Sequence, residues 1–277
     1  MPAAATNQGD TVTWDLDQLQ DVAIDVARAA GRVLVDHAGR RIEWQTKSTP
    51  TDPVTAADRE SERLVVEHLI AHRPDDGFVG EEGVGDRSGT TGLRWVVDPL
   101  DGTVNFTYGI RRWAVSIAAE DDDGGVVGVV FDPMADELCW AVRGRGSHRD
   151  GVDVAVSTMP DPTMALVGTG FYYDRAVREV QGPEVADLVG RVRDVRRAGA
   201  AALDLSDVAA GRLDGFVEFG LNHWDWAAGE VLIREAGGRV SRFDRDIAGW
   251  HRPVLVAGGD DLHDWLWEWA RAHASTA

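Results

Sequence analysis

Hydrophobic side chains recur at helical spacing in two segments near the start of the chain. Between residues 15 and 37 they form a stripe that only Gly31 interrupts, which predicts a long amphipathic helix. The stripe consists of Leu16, Leu19, Val22, Ala23, Val26, Ala30, Val33 and Leu34. A Pro-containing loop from Lys47 leads into a second helix, in which Leu64, Val65, His68 and Leu69 face the core until Pro74 ends it.

Short apolar runs bounded by turn residues predict strands in the rest of the first half. The predicted strands are 78–82, 93–97, 113–120, 126–131 and 138–142. Residues 121–125 and 132–133 form turns between the last three, and Arg149-Asp150-Gly151 predicts a further hairpin. The first half therefore reads as two helices packed against an antiparallel sheet.

Strands and helices alternate in the second half, which favours an α/β layer. The predicted order is strand 165–167, helix 174–189, strand 192–196, helix 201–210, strand 215–219, helix 224–236, strand 253–257 and a terminal helix from Asp261. The terminal helix carries Leu262, Trp265, Leu266 and Trp269 on one face, a stripe typical of a core or a subunit interface. We predict the α/β class, with an α+β half over 1–150 and an α/β half over 151–277, packed as one compact catalytic unit.

The chain is strongly acidic, with 47 Asp and Glu against 28 Lys and Arg and a formal net charge of −19. Such a surface repels phosphate backbones, so we expect no nucleic-acid partner. It also repels a phosphorylated metabolite unless a cation is bound. Only one of the basic residues is a lysine, Lys47.

No apolar segment is long enough to predict a membrane span, and the first dozen residues lack the basic region of a signal peptide. The single cysteine, Cys139, excludes an internal disulfide and lies in an apolar run, where we expect it to be a small buried side chain. These features predict a cytoplasmic protein.

The stretch from Trp95 to Phe106 carries the most suggestive chemistry. Its apolar strand delivers Asp98 and Asp101 at the carboxyl end, and Pro99 restrains the turn between them. Gly102-Thr103 then begins a short helix, whose free N–H groups suit a phosphate. Two carboxylates beside a phosphate site are the minimum for metal-dependent phosphoryl transfer.

Two other interpretations of this stretch deserve comparison. An Asp-Gly pair after an apolar run is also an ordinary turn. Phosphatases of the haloacid-dehalogenase type place a nucleophilic aspartate after a strand, but they require Asp-x-Asp, whereas Asp98 and Asp101 are separated by two residues. The observed spacing favours attack by an activated water.

Four further acidic positions are open to either a structural or a chemical interpretation. Thr55 and Asp58 read as an N-cap pair, and Asp225 reads as the N-cap of the helix that begins near Trp224. Glu81 and Glu82 end a predicted strand, where one of the two side chains can turn inward as a metal ligand. The eight histidines show no pair at metal-ligand spacing, and we expect them to be structural or surface residues.

Taken together and in order, these segments resemble the signatures of the inositol monophosphatase family over roughly Lys47 to Gly238. The matching positions are Lys47, Asp52, Val54, Thr55 and Asp58, then Gly80-Glu81-Glu82, then Trp95 through Phe106, then Trp224-Asp225 with Gly229. The resemblance implies a layered αβαβα sandwich of the inositol monophosphatase and sugar phosphatase type. It also implies a homodimer that hydrolyses a phosphomonoester with two or three Mg²⁺ ions.

The resemblance further implies roles for individual residues. Glu81, Asp98 and the Leu100 carbonyl would hold one Mg²⁺, and a weaker third ion would lie near Glu81. Asp98, Asp101 and Asp225 would hold the second ion. Catalysis would involve Glu81 together with Thr103, which would orient the attacking water through its hydrogen bond to Asp58.

Substrate contacts follow from the same resemblance. Gly102 and Thr103 would donate N–H groups to the phosphate, while Asp101, Ala201 and Glu218 would contact the hydroxyls of an inositol. Myo-inositol 1-phosphate is the first expectation, because Glu218 suits a polyhydroxylated leaving group. Histidinol phosphate, a fructose bisphosphate, an adenosine bisphosphate and a non-catalytic regulatory module are the alternatives. The stretch from Phe171 to Gln181 matches nothing in the family signatures and is where we expect leaving-group specificity.

Overall fold

The structure is a computed structural model that describes residues 14–38, 44–47 and 53–274. Asp52, part of the sequence signature, lies outside these residues. The described helices are α1 (Leu16–His37), α2 (Ala56–His72), α3 (Thr103–Thr107), α4 (Arg175–Val189), α5 (Ala201–Ala209), α6 (His223–Glu235) and α7 (Asp260–Ala274). The two helices predicted in the first half and the terminal helix are confirmed.

A seven-stranded sheet forms the first half, in the order β3-β4-β5-β6-β7-β8-β9. Its strands are β3 (Gly77–Gly80), β4 (Arg94–Asp101), β5 (Ala114–Asp121), β6 (Gly124–Asp132), β7 (Glu137–Val142), β8 (Ser147–Arg149) and β9 (Val152–Val154). A separate two-stranded ribbon pairs β1 (Trp44–Thr46) with β2 (Pro53–Thr55) just before α2.

The expectation of a wholly antiparallel first sheet is wrong at one edge. Strands β3 and β4 are parallel, with Gly77 opposite Arg94 and Gly80 opposite Val97. The intervening residues 81–93 form a connection long enough to return the chain to the starting end of β3, which a hairpin turn does not do.

The second sheet has five strands in the order β11-β10-β12-β14-β13. They are β10 (Leu166–Thr169), β11 (Asp194–Arg196), β12 (Gly215–Phe219), β13 (Arg239–Ile247) and β14 (Trp250–Gly258). Sequence patterning missed β13. Five of its nine residues are charged, because it is an edge strand with one face toward solvent.

Alternate residues of the central strands point into different layers. Val97 and Ile117 pack with α1 and α2 on one face of the first sheet. Val96, on the other face, shares a core with Leu232 of α6 and Leu255 of β14. Beyond the second sheet, α4 and α7 cover Val256 and its neighbours. The order helices, sheet, helices, sheet, helices confirms the predicted αβαβα sandwich and the α/β class.

The remaining structural expectations concern single features. Cys139 is buried in β7, and burial raises the pKa of its thiol to about 12, which agrees with a buried structural side chain. In α7, Leu262 and Leu266 are buried while Trp265 and Trp269 pack half-buried against the same core. Within the part of the chain that the structure describes, no helix is both long and apolar enough to cross a membrane.

Candidate active site

The carboxyl-terminal end of β4 opens into a cavity of about 270 Å³ between the two halves of the chain. The predicted site residues that line it are Glu81, Asp98, Leu100, Asp101, Gly102, Thr103, Ala201, Glu218 and Asp225. Asp58 is the one predicted site residue outside this lining, and it lies directly behind Thr103. The structure thus brings together side chains that are separated by as many as 167 positions in the sequence.

Strand β4 does not end at Val97 as the apolar run predicted. It continues to Asp101 with an irregular register, because Asp98 pairs with Ser116 while Asp101 pairs with Ala114. The Asp98 carboxylate accepts a hydrogen bond of 3.0 Å from the Leu100 N–H within this distortion. Both aspartates are therefore held on a sheet strand rather than on a loop.

Gly102 connects β4 to α3 in the left-handed backbone region, with φ of 88°. A Cβ at this position would lie 3.1 Å from the Arg112 carbonyl oxygen and 3.2 Å from the Ala200 Cβ. Glycine alone combines this backbone conformation with the close approach of two neighbouring segments. The turn directs the backbone of Gly102 and Thr103 toward the cavity that they line.

The two carboxylate oxygens of Asp58 accept hydrogen bonds from two different residues. Oδ2 accepts hydrogen bonds from the Thr55 N–H at 2.8 Å and the Thr55 hydroxyl at 2.5 Å, which closes a capping box at the start of α2. Oδ1 accepts from the Thr103 hydroxyl at 3.1 Å. The Thr103 hydroxyl also lies 3.0 Å from the Leu100 carbonyl oxygen, so its single proton has two acceptors. Both sequence interpretations of Asp58, a helix cap and a neighbour of Thr103, are correct.

Asp101 has a structural partner in the middle layer. Its carboxylate accepts from the Ala202 N–H at 2.8 Å and the Ala201 N–H at 3.2 Å. These N–H groups open α5, whose own N-cap residue, Ala200, supplies no side-chain hydrogen bond. The carboxylate of the first half therefore caps a helix of the second half and fixes Ala201 beside it.

Asp225 is not the N-cap of α6. The helix begins one residue earlier than predicted, with Asn222 as its N-cap, and Asp225 is the third helical residue. Its carboxylate accepts a hydrogen bond of 2.6 Å from the Asn222 N–H. An Asp at the third helical position accepts from the N–H of the N-cap residue, whereas an Asp at the N-cap accepts from an N–H of the first turn. Both positions favour the same residue type, so the sequence does not tell them apart.

Negative charge accumulates in this cavity. Burial, followed by the negative charges of Glu81 and Asp101, raises the pKa of Asp98 well above its usual range. Burial and Glu81 do the same for the pKa of Asp225. Burial raises the pKa of Asp101 to about 7, although the Ala202 and Ala201 N–H groups oppose the change. Carboxylates arranged in this way are stabilised in their charged form by a cation.

Lys47 supplies one positive charge from the ribbon side. Its Nζ lies 2.8 Å from Glu81 Oε1 and also forms an ion pair with Glu82. Burial lowers the pKa of Lys47, but Glu81 and Glu82 outweigh burial and raise it above its usual range. The sole lysine of the chain is thus an internal counter-ion of the acidic site.

The pair Glu81 and Glu82 differs from its expected geometry. Strand β3 ends at Gly80, so the two glutamates lie in a bend, where the alternation of strand side chains no longer applies. Both side chains turn toward Lys47, and only Glu81 lines the cavity. Glu82 instead neighbours the buried Glu62, whose pKa rises to about 8 through burial and the charge of Glu82.

Glu218 lies on β12 at the opposite side of the cavity. Burial raises its pKa to about 8, and the positive charge of Arg197 partly opposes this rise. A carboxyl group in such surroundings can accept hydrogen bonds from hydroxyl groups of a ligand.

A divalent cation suits the donors of this site. Four carboxylates and the Leu100 carbonyl provide only oxygen atoms, which is the ligand type that Mg²⁺ prefers. Among residues 14–38, 44–47 and 53–274, no three His, Cys, Asp or Glu side chains converge as they stand into one coordination sphere. The fit therefore rests on the chemistry and charge of the donors. None of the histidines lines the cavity, as expected.

Sequence reasoning gave no role to two arginines that line the same cavity, Arg197 and Arg252. Tyr172, of the unmatched stretch from Phe171 to Gln181, also lines the cavity, and the role of this stretch in leaving-group specificity stays a prediction. Arg252 precedes the apolar part of β14, and an arginine at a strand end carries no signal of a binding site in the sequence alone.

Comparison with known proteins gives a consistent result. Residues 15–275 match the Inositol monophosphatase family. An inositol-1-monophosphatase of Mycobacterium leprae is 47% identical over 230 residues, covering 80% of this chain and 79% of that protein. A protein of Pasteurella multocida called Nus factor SuhB is 39% identical over 232 residues, covering 83% and 86% of the two chains. The crystal structure of the extragenic suppressor protein suhB from Bartonella henselae superposes with a TM-score of 0.83 at 34% identity, covering 94% of this chain and 99% of the other.

Proposed function

The chain belongs to the inositol monophosphatase family, and we propose that this phosphatase hydrolyses a small phosphorylated polyol, foremost myo-inositol 1-phosphate, to the polyol and inorganic phosphate. The supporting observation is the shared cavity in which Asp98, Asp101 and Asp225 face a Thr103 hydroxyl that is hydrogen-bonded to Asp58. Acidic ligands and an oriented hydroxyl are the two components that hydrolysis by an activated water requires.

Magnesium is the proposed cofactor, with two or three ions in the cavity. Glu81, Asp98 and the Leu100 carbonyl would hold one ion, and a third would bind more weakly near Glu81. Asp98, Asp101 and Asp225 would hold the second. When bound, the ions offset the repulsion between these carboxylates and a phosphate, and they supply the Lewis acid for the reaction.

Thr103 and Asp58 form the proposed route for the proton of the attacking water. The Thr103 hydroxyl donates to Asp58 Oδ1, so its oxygen is free to accept a hydrogen bond from a water in the cavity. Burial raises the pKa of Asp58, which makes its carboxylate a stronger base than an exposed aspartate. Glu81, which lines the same cavity, completes the proposed catalytic set.

The substrate is placed by groups on both halves of the chain. Backbone N–H groups of Gly102 and Thr103 would bind the phosphate, because the first N–H groups of α3 have no partner within that helix. Asp101, Ala201 and Glu218 would bind the hydroxyl groups of the leaving polyol. Histidinol phosphate is an alternative substrate, since a carboxylate such as Glu218 also accepts hydrogen bonds from an ammonium group. Fructose 1,6-bisphosphate, whose hydroxyl groups Glu218 can likewise bind, is another.

Phosphate release by the purified protein tests this function. We expect turnover of myo-inositol 1-phosphate with millimolar Mg²⁺ and none in excess EDTA. Histidinol phosphate and fructose 1,6-bisphosphate, assayed at equal concentration, identify the preferred leaving group. Full activity in EDTA, or no release from any of the three esters, contradicts the proposal.

A homodimer in the cytoplasm completes the proposal. Two large apolar side chains beyond α3 support association, because Tyr108 is 78% exposed and Ile110 is 53% exposed. Light scattering of the purified protein should give twice the chain mass of 30.1 kDa. A monomeric mass at micromolar concentration refutes the dimer.

A further inference from the structure

Arg252 is an arginine without an ionic partner in a protein with a large excess of acid. The chain contains 47 acidic residues and 28 basic ones, and most partly buried arginines form ion pairs. Arg252 is only partly exposed, forms no ion pair with any residue that the structure describes, and has a buried Nε atom without a hydrogen-bond partner. A buried N–H group that lacks an acceptor is energetically unfavourable unless a ligand provides one. The Trp250 ring, whose centroid lies 5.8 Å from the Arg252 Cζ, contacts the guanidinium but offers no oxygen acceptor.

The neighbouring strand provides an internal comparison. Arg245 of β13 lies directly opposite Arg252 of β14. The Arg245 guanidinium is buried and makes two hydrogen bonds to Glu184, of 2.6 Å and 3.0 Å. Glu184 therefore neutralises Arg245, one member of this cross-strand pair. The other member, Arg252, faces the cavity that Asp98 and Thr103 also line.

Packed aromatic side chains form the cavity wall beside Arg252. The Tyr172 ring packs edge-on against Phe219 and Trp250, with ring centroids 5.8 Å and 5.1 Å away. Gly220 permits this packing, because a Cβ at that position would lie 2.3 Å from the Tyr172 ring. The Tyr172 N–H is also held by Gln181, at 3.0 Å. Arg252 thus lies next to a preorganised aromatic wall, as a binding site requires.

Arg197 on the same cavity is a weaker candidate for the same task. Its positive charge already lowers the pKa values of Glu218 and Asp204 relative to their burial alone, so carboxylates of the chain compensate it. Arg197 is also exposed to solvent, whereas Arg252 is only partly exposed and faces the same cavity without an ion pair to any described residue. Arg252 is therefore the stronger candidate for binding an anion of the ligand.

We propose that Arg252 forms a second anion subsite, which admits phosphomonoesters whose leaving group carries a further phosphate or carboxylate. The inference rests on the proposed phosphatase function and extends its substrates to polyol phosphates with a second negative charge. Arg252 is a specificity residue in this proposal, since its guanidinium binds the anion that is not transferred.

Paired substrates that differ only in the second anion test the subsite. Fructose 1-phosphate is compared with fructose 1,6-bisphosphate, and glycerol 2-phosphate with 2-phosphoglycerate, by initial phosphate release with Mg²⁺. In each pair we expect kcat/KM of the wild type to be at least about tenfold higher for the doubly anionic member, because a charge-assisted hydrogen bond contributes that much. If only fructose 1,6-bisphosphate is preferred over its partner, the subsite binds phosphate. If only 2-phosphoglycerate is preferred over its partner, the subsite binds carboxylate. Equal values in both pairs overturn the proposal.

Substitution identifies Arg252 as the source of the preference. In Arg252→Gln this preference should be lost, a fall of about tenfold or more through KM of the doubly anionic member, while Arg252→Lys should retain part of it. Arg28→Gln, which removes an exposed charge on α1 far from the cavity, should leave the preference intact. If Arg252→Gln instead lowers kcat/KM for both members of a pair equally, Arg252 is structural and the proposal is wrong.

Direct binding separates this inference from the proposed function. Turnover of myo-inositol 1-phosphate without any preference within the pairs would refute the subsite alone. If no ester is hydrolysed, the phosphatase proposal fails, and calorimetric titration with fructose 1,6-bisphosphate decides the subsite. Binding about tenfold weaker in Arg252→Gln supports it, and equal dissociation constants refute it.

Discussion

The Thr103 hydroxyl lies 3.1 Å from Asp58 Oδ1 and thereby joins the start of α3 to the first turn of α2. The other oxygen of the same carboxylate is held by Thr55. Because Thr55 fixes the carboxylate, the orientation of the Thr103 hydroxyl depends on a helix cap. Local stability and the proposed proton route are therefore coupled through one side chain.

The proposed proton route predicts a large kinetic effect of Thr103→Val. The substitution removes the hydroxyl at nearly constant volume, while the backbone N–H groups and the carboxylates remain. KM should change little, and kcat should fall by roughly 10²- to 10⁴-fold, the usual scale for a positioned proton-transfer group. Steady-state kinetics at saturating Mg²⁺ measures both.

Asp58→Asn should reduce kcat to a similar extent, and the double variant should be little worse than either single one, because groups that act as a unit are not additive. Thr55→Val is the matched control, since it removes the capping hydroxyl while the Thr55 N–H still holds the Asp58 carboxylate beside Thr103. We expect it to lower the free energy of unfolding by about 1 kcal/mol with a small effect on kcat. Losses that multiply in the double variant would falsify the shared route.

Asp225→Asn should reduce activity far more than stability. An asparagine at the third position of α6 still accepts a hydrogen bond from the Asn222 N–H, so the free energy of unfolding should change by no more than about 1 kcal/mol. The loss of charge should reduce kcat/KM by orders of magnitude at fixed Mg²⁺. Asp15→Asn makes the same change at the N-cap of α1, outside the cavity, and should affect neither quantity. Normal kinetics in Asp225→Asn would make Asp225 a purely structural residue.

Lys47 should stabilise the metal-free protein. Lys47→Met leaves Glu81 and Glu82 without their common partner, so the melting temperature in EDTA should fall below that of the wild type. Added Mg²⁺ should raise the melting temperature of this variant more than that of the wild type, because the acidic site then lacks its internal cation. Lys47→Arg should behave like the wild type. Equal Mg²⁺ effects in all three proteins would show that Lys47 and the ions act independently.

The metal-free protein should become less stable as pH rises from about 5 to about 8. Glu62 has a pKa of about 8 in the folded protein and an ordinary value of 4.5, so only the folded state keeps its proton between these values. Stability therefore falls with increasing pH through this window. Glu218, with a pKa of about 8, and Asp101, with a pKa of about 7, act in the same direction.

Melting temperatures in EDTA from about pH 5 to about pH 9 measure this dependence. Glu62→Gln removes one of the titrating groups outside the cavity lining, so its melting temperature should fall less steeply than that of the wild type. A melting temperature that rises toward pH 9 would contradict the sign of the effect.

Local patterns of the sequence determined much of this protein. The apolar stripes of α1 and α2 and the alternation in the second half predicted the layers, because helices and strands bury side chains with different periods. The spacing of Asp98, Asp101 and Gly102 marked the site, since a carboxylate pair before a glycine turn is a local feature. The order of Glu81, Asp98 and Asp225 in the chain then indicated the family.

Only the tertiary structure decided which groups face one another. Three such relationships depend on segments distant in sequence: Glu81 and Glu82 both turn to Lys47, Asp101 caps α5, and Arg252 has no ionic partner among the described residues. Strand β13 was not predicted for the same reason. Its charged residues give no strand pattern, and its pairing with β14 holds it in the sheet. Packing between the layers sets the distances between charged groups. Those distances determine whether a carboxylate or a guanidinium in this cavity is neutralised by another side chain or remains available to a ligand.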